Sequence, residues 1–120
     1  MKIKRFEEII AWQKGQDLAV EIYNIFSKIR DYGFKDQILR AVVSISNNIA
    51  EGFERNSDNE FIRFLNISKA SCSEVKSMLY LSKRLNYIEQ ERAEELIKQC
   101  SEISMIIYGL IKSIKKTTVN

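Results

Sequence analysis

The sequence predicts an all-α protein, an antiparallel four-helix bundle in up-down-up-down order. Three observations support this: apolar residues recur every three or four positions, proline is absent, and only four glycines occur among the 120 residues. Proline and glycine interrupt helices and build tight turns, so their scarcity favours long helices. Short connections then force consecutive helices to run antiparallel.

The first two helices follow from their apolar spacing. A first helix is predicted from about residue 9 to about Arg30, and the segment Asp31, Tyr32 and Gly33 is predicted to break it. A second helix is predicted from about Phe34 to Glu54. Its apolar stripe repeats at intervals of three and four: Ile38, Val42, Ile45, Ile49 and Phe53.

The start of the third helix is the sharpest predicted boundary. Ser57 followed by Glu60 forms a capping box, in which each side chain satisfies a backbone donor at the helix start. This helix is predicted to reach Leu85, with Asn86 as a left-handed C-cap. The fourth helix is predicted from about Glu89 to Lys116, around one seam: Leu96, Cys100, Ile103, Ile107, Leu110 and Ile114.

The length and the chain ends predict one domain without a membrane segment. Residues 1–120 fit a single bundle domain, and we expect residues 1–6 and 117–120 to be frayed. Cys72 and Cys100 occupy apolar positions of different helices, which favours reduced core thiols over a disulfide or metal site. No apolar leader and no apolar run of membrane-spanning length occurs, which predicts a soluble, cytoplasmic protein.

Catalytic chemistry has little support in the residue types. The chain contains no histidine, the commonest general base near neutral pH and the commonest zinc ligand. It also lacks Glu-x-x-His pairs and any glycine-rich turn after a strand. We therefore expect no enzyme activity, catalytic residue, cofactor, metal site or small-molecule substrate.

Polar residues gather on the second and third helices and allow two interpretations. They could form a structural network of hydrogen bonds and ion pairs between the helices, with Asn48 fixing their register, or they could line a ligand site. An enzyme would require Arg40, Glu51 and Arg63 to line one pocket. The cluster comprises Arg40, Asn48 and Glu51 on the second helix, and Glu60, Arg63, Asn66 and Glu74 on the third.

The apolar surface is wider than a lone bundle needs. A helix buried on one side needs an apolar arc of a little over 100°, yet the second helix carries another stripe beside the first. The third and fourth helices also exceed their seams, which predicts self-association. The alternative is that neighbouring helices cover the excess within one chain. The additional stripe of the second helix is Leu39, Val43, Ser46 and Ala50.

Basic residues gather where two helices end. The net charge is only +3, and cations at helix C-termini also complement the helix dipole. As candidate contacts to RNA or DNA, they predict two separate patches, because antiparallel helices end at opposite poles. The candidates are Lys83 and Arg84 on the third helix, and Lys112, Lys115 and Lys116 on the fourth.

Several segments resemble the bacterial four-helix bundle proteins called 23S ribosomal RNA intervening-sequence proteins. The resemblance covers the chain from about residue 6 to residue 113, and its most distinctive blocks are Asn48 to Gly52 and Glu60 to Leu65. The family usually has a proline after the serine-isoleucine pair, where this chain has Ser46. Further matching segments are 12–14, 36–38 and 41–45.

The resemblance implies a fold and an assembly, without a settled biochemical activity. A related pentameric bundle is an accessory protein to reverse transcriptases of diversity-generating retroelements and binds nucleic acid through positive surface. By analogy of fold, we expect a homopentamer that binds RNA, DNA or a nucleic-acid enzyme. The alternative is a protein-interaction scaffold without nucleic-acid contact, which the modest net charge favours.

Overall fold

The protein is an antiparallel bundle of four helices, as the sequence predicted. A computed structural model describes residues 3–118. A short 3-10 turn at Phe6–Glu8 precedes four α-helices, and the bundle measures 50 × 21 × 19 Å. Consecutive helices pack side by side and α1 closes against α4, so the α1–α2 side lies opposite the α3–α4 side. The helices are α1 (Ile10–Phe26), α2 (Tyr32–Phe53), α3 (Asp58–Arg84) and α4 (Gln90–Thr118).

Part of each predicted frayed end lies outside the described residues. These positions are 1, 2, 119 and 120. Within the described part, Ile3 packs against the core, and α4 extends to Thr118.

The first helix ends at Phe26, earlier than the predicted end at about Arg30. Phe26 is fully buried, and its ring packs 5.9 Å from the ring of Phe34 at the start of the next helix. The chain therefore has to reverse directly after Phe26. The amide of Ile29 donates to the Phe26 carbonyl at 3.2 Å and forms this turn.

The second helix begins at Tyr32, so the predicted break at Tyr32 and Gly33 is wrong. The reason is Asp31, whose carboxylate accepts a hydrogen bond of 3.2 Å from the Phe34 amide and caps the helix. The other carboxylate oxygen accepts from the Tyr87 hydroxyl at 2.8 Å, which raises the pKa of Tyr87. This carboxylate thus joins the α1–α2 and α3–α4 connections.

Both predicted ends of the third helix are confirmed. Ser57 is the N-cap and accepts from the Glu60 amide at 3.3 Å, while Asn86 has the left-handed φ of 60° beyond the C-terminus. The Glu60 carboxylate points to Arg63, accepting from its guanidinium at 3.0 and 3.2 Å. The capping box is therefore formed in its Ser57 half.

The core follows the predicted stripe of α2 and the predicted seam of α4, although Phe53 and Leu110 are only half-buried at its edge. Its largest fully buried side chains come from all four helices, so one hydrophobic core joins them. Within residues 3–118, no helix combines the length and apolarity needed to cross a membrane. The largest fully buried side chains are Phe26, Leu18, Ile22, Ile38, Ile45, Ile49, Leu65, Leu79, Leu96, Ile103, Ile107 and Ile114.

A single chain covers part of the excess apolar surface. Phe64, Met78, Ile97 and Ile111 are buried although they lie beside their helix seams. The additional stripe of α2 is only partly covered, because its apolar members Leu39, Val43 and Ala50 stay half-buried. Large apolar residues remain exposed on every α-helix, among them Val20, Tyr23, Ile67, Leu81, Met105 and Tyr108.

Gly52 lets the end of α2 approach α3 closely. A Cβ atom at this position would lie 2.5 Å from the Cβ of Phe64 and 3.2 Å from the ring of Phe61. No non-bonded pair of carbon atoms tolerates the shorter distance, so a side chain here would push the two helices apart. The glycine of the Asn48 to Gly52 block therefore has a packing role.

We expect Gly52→Ala to lower the free energy of unfolding by about 1–3 kcal/mol, the usual effect of overpacking. Gly109→Ala is the matched control, because a Cβ there meets nothing within 4 Å. In the exposed middle of α4, alanine should raise stability by about 0.5–1 kcal/mol. Urea titration followed by circular dichroism measures both, and an unchanged midpoint for Gly52→Ala would contradict the close approach.

Candidate nucleic-acid interface

The predicted basic residues lie toward opposite ends of the bundle. Lys83 and Arg84 form the last turn of α3, whereas Lys115 and Lys116 lie in the last turn of α4. The ammonium of Lys83 is 3.7 Å from the Glu94 carboxylate. Arg84, Lys115 and Lys116 are exposed. The two groups therefore occupy separate poles.

The groove between α3 and α4 connects these poles. Its register follows from two contacts, Lys83 with Glu94 and Lys69 with Tyr108. Moving back 14 residues along α3 (83 to 69) corresponds to moving forward 14 along α4 (94 to 108), as antiparallel helices require. Lys76 lies midway, opposite Ser101, and both line a shallow depression of about 200 Å³.

Lysines and tyrosines alternate along this groove. The Lys69 ammonium lies 5.1 Å from the centre of the Tyr108 ring, and the Lys112 ammonium lies 5.6 Å from the same ring. Lys83 is 5.5 Å from the ring of Tyr80. We call this surface the lysine groove; it comprises Lys69, Lys76, Tyr80, Lys83, Tyr108 and Lys112.

Of the residues in the lysine groove, only Lys83 and Lys112 belong to the nucleic-acid contacts predicted from the sequence. A signal for the rest was present, because Lys69, Lys76 and Lys83 are spaced by seven residues and therefore share one helix face. Its link to Tyr108 depends on how α4 packs against α3. That pairing is visible only in the folded chain.

Acidic residues concentrate on the neighbouring α1–α4 seam. Arg92 binds Glu21 at 2.7 Å and Glu95 at 3.0 Å, and Lys14 binds Glu102 at 3.0 Å. The hydrogen bond with Glu21 is the main reason that the pKa of Arg92 is raised. The small net charge of +3 therefore combines a basic groove between α3 and α4 with an α1–α4 seam that carries several acidic residues.

The predicted polar cluster of α2 and α3 is bonded mostly within each helix. Asn48 donates to the Ser44 carbonyl at 2.8 Å, and Asn66 donates to the Ile62 carbonyl at 3.2 Å. Glu51 binds Arg55 at 2.9 Å. These bonds stabilise single helices and do not themselves tie α2 to α3. Glu74 is different, because its carboxylate accepts a hydrogen bond of 3.4 Å from Gln37 of α2.

The pair Glu60 and Arg63 also lies within α3. The hydrogen bonds between them are the main cause of a lowered pKa for Glu60 and a raised pKa for Arg63. Arg63 also lies 4.6 Å from the Phe64 ring, and Arg55 from the end of α2 lies 5.0 Å from it. Two guanidinium groups thus flank one largely buried ring.

Serines form the closer links between α2 and α3. The Ser68 hydroxyl donates to the Ile45 carbonyl at 2.7 Å, and the hydroxyls of Ser44 and Ser71 are hydrogen-bonded to each other. Small hydroxyl side chains permit close helix approach while satisfying buried polar atoms. These serine contacts were not predicted, since serine alone carries no signal for an interhelical bond.

Arg40 lies apart from the other charged members of the polar cluster. It lines an open groove of about 550 Å³ with Asp36, Ser44 and Glu74. Glu51 and Arg63 do not line that groove. The three residues required for the enzyme hypothesis therefore do not share one pocket.

Cys72 and Cys100 lie beneath the lysine groove. Both are buried, neither forms a disulfide, and burial raises the pKa of each thiol to about 12. Low thiolate content makes such thiols poor nucleophiles and poor metal ligands. Over the described part of the chain, no three acidic, cysteine or histidine side chains are grouped to hold a metal ion.

Comparisons with known proteins agree on one group of relatives. Residues 7–109 match the family model described as 23S rRNA-intervening sequence protein. A similar solved structure is a protein of unknown function from the S23 ribosomal protein family of Bacteroides thetaiotaomicron, determined at 1.70 Å resolution. The two chains are 30% identical with a TM-score of 0.81, covering 86% of this chain and 99% of that one. No curated protein matches the sequence.

We expect the native thiols to resist Ellman's reagent at pH 8, because a pKa of about 12 leaves very little thiolate. Both should react once guanidinium unfolds the chain. Ser73→Cys supplies an exposed control thiol beside Cys72. Native cysteines that react as fast as this control would contradict their burial.

The same pKa shift predicts a loss of stability in alkali. An unfolded thiol ionises near its ordinary pKa of 9.0, while the folded thiol keeps its proton until about pH 12. Below pH 9 the thiols are protonated in both states, so the folded state keeps its full stability. This stability is lost as the pH rises from 9 toward 12, because only the unfolded thiols ionise over that range. Replacing both cysteines by alanine should flatten this alkaline decline, as measured by urea titration at several pH values.

Proposed function

Because the chain belongs to the family of 23S rRNA-intervening sequence proteins, we propose that it is a non-enzymatic, self-associating bundle that binds RNA, DNA or a nucleic-acid enzyme. The observation that carries this proposal is the set of cations along α3 and α4. Of the five candidates named from the sequence, only Lys83 has a carboxylate within ion-pair distance among the described residues. The other four are available to a polyanion: Arg84, Lys112, Lys115 and Lys116.

The absence of histidine from the sequence supports the non-enzymatic part of the proposal. The buried cysteines also favour it, because their raised pKa makes them weak nucleophiles. We further propose that the protein acts in the cytoplasm, where free thiols remain reduced.

Exposed apolar residues support self-association. We define the α1–α2 patch as Val20, Tyr23, Leu39 and Val43; Val20 is 60% exposed and Tyr23 44%. A second patch on α4 contains Met105, which is 74% exposed, and Ile106. A ring joins two different surfaces of each protomer, and these two patches offer such a pair. We favour a ring of five, by analogy with the related pentameric bundle.

Assembly would place the positive charges of several protomers on one particle. Each chain carries only +3, but a ring repeats the basic residues of α3 and α4 around its circumference. Because the α1–α2 side lies opposite the α3–α4 side, the α1–α2 patch of each protomer lies away from the lysine groove of the same protomer. Several phosphates could then be contacted at once.

The second candidate function is an interaction scaffold without nucleic-acid contact. Exposed apolar side chains such as Ile67 and Leu81 on α3 favour it, since they would suit a protein partner. Nucleic-acid binding separates the two candidates.

We expect light scattering at micromolar concentration to give five times 14.0 kDa, about 70 kDa. Val20→Asp should lower this mass, because a carboxylate in the α1–α2 patch would lose its hydration on assembly. Ser77→Asp places the same charge at an exposed position of α3 and should leave the mass unchanged. A monomeric wild type would overturn the self-association proposal.

We expect the wild type to bind RNA or DNA at about 50 mM salt with little sequence preference, and to lose affinity steeply as salt rises. Each neutralised phosphate releases counterions and adds about 0.7–0.9 to the slope of log affinity against log salt. Charge reversal at Lys83 with Arg84, or at Lys112, Lys115 and Lys116, tests each group by gel shift. No detectable affinity in the wild type would support the scaffold instead.

A further inference from the structure

We infer that the lysine groove holds a single strand of nucleic acid, with phosphates on its lysines and unpaired bases on the rings of Tyr80 and Tyr108. This inference rests on the proposed nucleic-acid function. It adds the surface, the strandedness and the mode of contact.

The lysine spacing suits an extended polyanion. Lys69, Lys76 and Lys83 are seven residues apart, so their positions follow one face of α3 at intervals of about 10 Å. Lys112 extends the line on α4 beyond Lys69, because it lies one turn after Tyr108. The line therefore joins the neighbourhoods of both basic poles.

The charges of this groove are largely uncompensated. Among the described residues, Lys69, Lys76 and Lys112 have no carboxylate within ion-pair distance, and Glu94 faces only the Lys83 end. Glu102 of α4 binds Lys14 of α1 and Glu95 binds Arg92, both at the α1–α4 seam, which is another face of the bundle. A phosphate chain entering here would meet attraction along most of the groove.

The tyrosines supply aromatic rings on which bases can stack, and lysines alone cannot provide these. Tyr80 is 48% exposed and Tyr108 is 53% exposed. The Lys69 ammonium lies 5.1 Å from the centre of the Tyr108 ring, and the Lys83 ammonium lies 5.5 Å from the centre of the Tyr80 ring. A lysine can move from the ring to a phosphate while a base stacks in its place. Groups of this kind, positive charge interleaved with aromatic rings, bind single strands with little sequence preference.

The same features disfavour a duplex as the occupant. Paired bases are stacked on each other and cannot cover a protein ring, so a duplex would gain only the phosphate contacts. An acidic peptide would also meet the lysines, but it would gain little from two exposed tyrosines at separate points. The combination therefore favours an unpaired polynucleotide.

Fluorescence anisotropy with labelled 15-nucleotide oligo(U), oligo(dT) and a 15-base-pair duplex tests the inference. We expect the wild type to bind at least one single strand tenfold or more tightly than the duplex at about 50 mM salt. The two oligonucleotides distinguish RNA from DNA. Equal binding of single strand and duplex would overturn the strandedness.

A matched pair of variants tests the location. Lys69→Gln with Tyr108→Ala removes a lysine-tyrosine pair from the groove and should weaken single-strand binding at least tenfold. Lys35→Gln with Tyr32→Ala removes a similar pair at the start of α2, where the half-buried Lys35 places its ammonium 4.8 Å from the centre of the exposed Tyr32 ring. That control should stay within twofold of the wild type.

Lys76→Gln alone is a second groove variant that leaves both tyrosines in place. It should reduce the salt slope by about 0.7, the contribution of one single-strand phosphate contact. Thermal melting by circular dichroism checks that each variant folds. An unchanged slope together with unchanged affinity would count against the groove.

The outcomes separate this inference from the broader proposal. If Lys115→Gln with Lys116→Gln weakens binding while the groove variants do not, the groove assignment is wrong and the nucleic-acid function stands. If the wild type binds neither single strand nor duplex, both fail.

Discussion

The close packing of α2 against α3 is the contact on which the other arrangements depend. At one end, Gly52 leaves room for Phe64, and a Cβ there would come within 2.5 Å of the phenylalanine Cβ. Further along, the Ser68 hydroxyl reaches the Ile45 carbonyl at 2.7 Å. Such distances allow little sliding, because protein interiors are close-packed. They therefore set the register of α3, and α4 packs against another face of that helix.

The register between α3 and α4 brings lysines of α3 together with a tyrosine of α4 on one surface. It places Lys69 beside Tyr108 and leaves Lys76 between the two poles. Several acidic side chains meanwhile form ion pairs along the α1–α4 seam, where Lys14 binds Glu102 and Arg92 binds Glu21. A chain with a net charge of +3 thereby acquires one groove of concentrated positive charge.

The apolar residues of this chain are likewise divided between covered and exposed positions by the way the helices pack. Phe64 and Met78 are covered by neighbouring helices, whereas Val20 and Met105 remain largely exposed. The α1–α2 patch and the lysine groove lie on opposite sides of the bundle, so a contact through that patch leaves the groove of the same protomer open. The α4 patch instead borders the groove, because Ser101 lines the depressions next to both.

Local signals in the sequence predicted the elements whose causes are local. Ser57 caps α3 through the Glu60 amide and Asn86 adopts a positive φ, and both effects depend on a few neighbouring residues. The early end of α1 was missed because it depends on the packing of Phe26 against Phe34 across the turn. The start of α2 was missed because Asp31 was interpreted as a breaker, although its carboxylate caps the helix.

The sequence by itself determined the four helices, their apolar faces, the single core and the absence of histidine chemistry, because each depends on residue type and on spacing along one helix. Only the tertiary structure decided that Asn48 and Asn66 bond within their own helices, that serines link α2 to α3, and that lysines of α3 meet Tyr108 of α4. The reason is physical: such contacts depend on the register between two helices, which side-chain packing sets across the core.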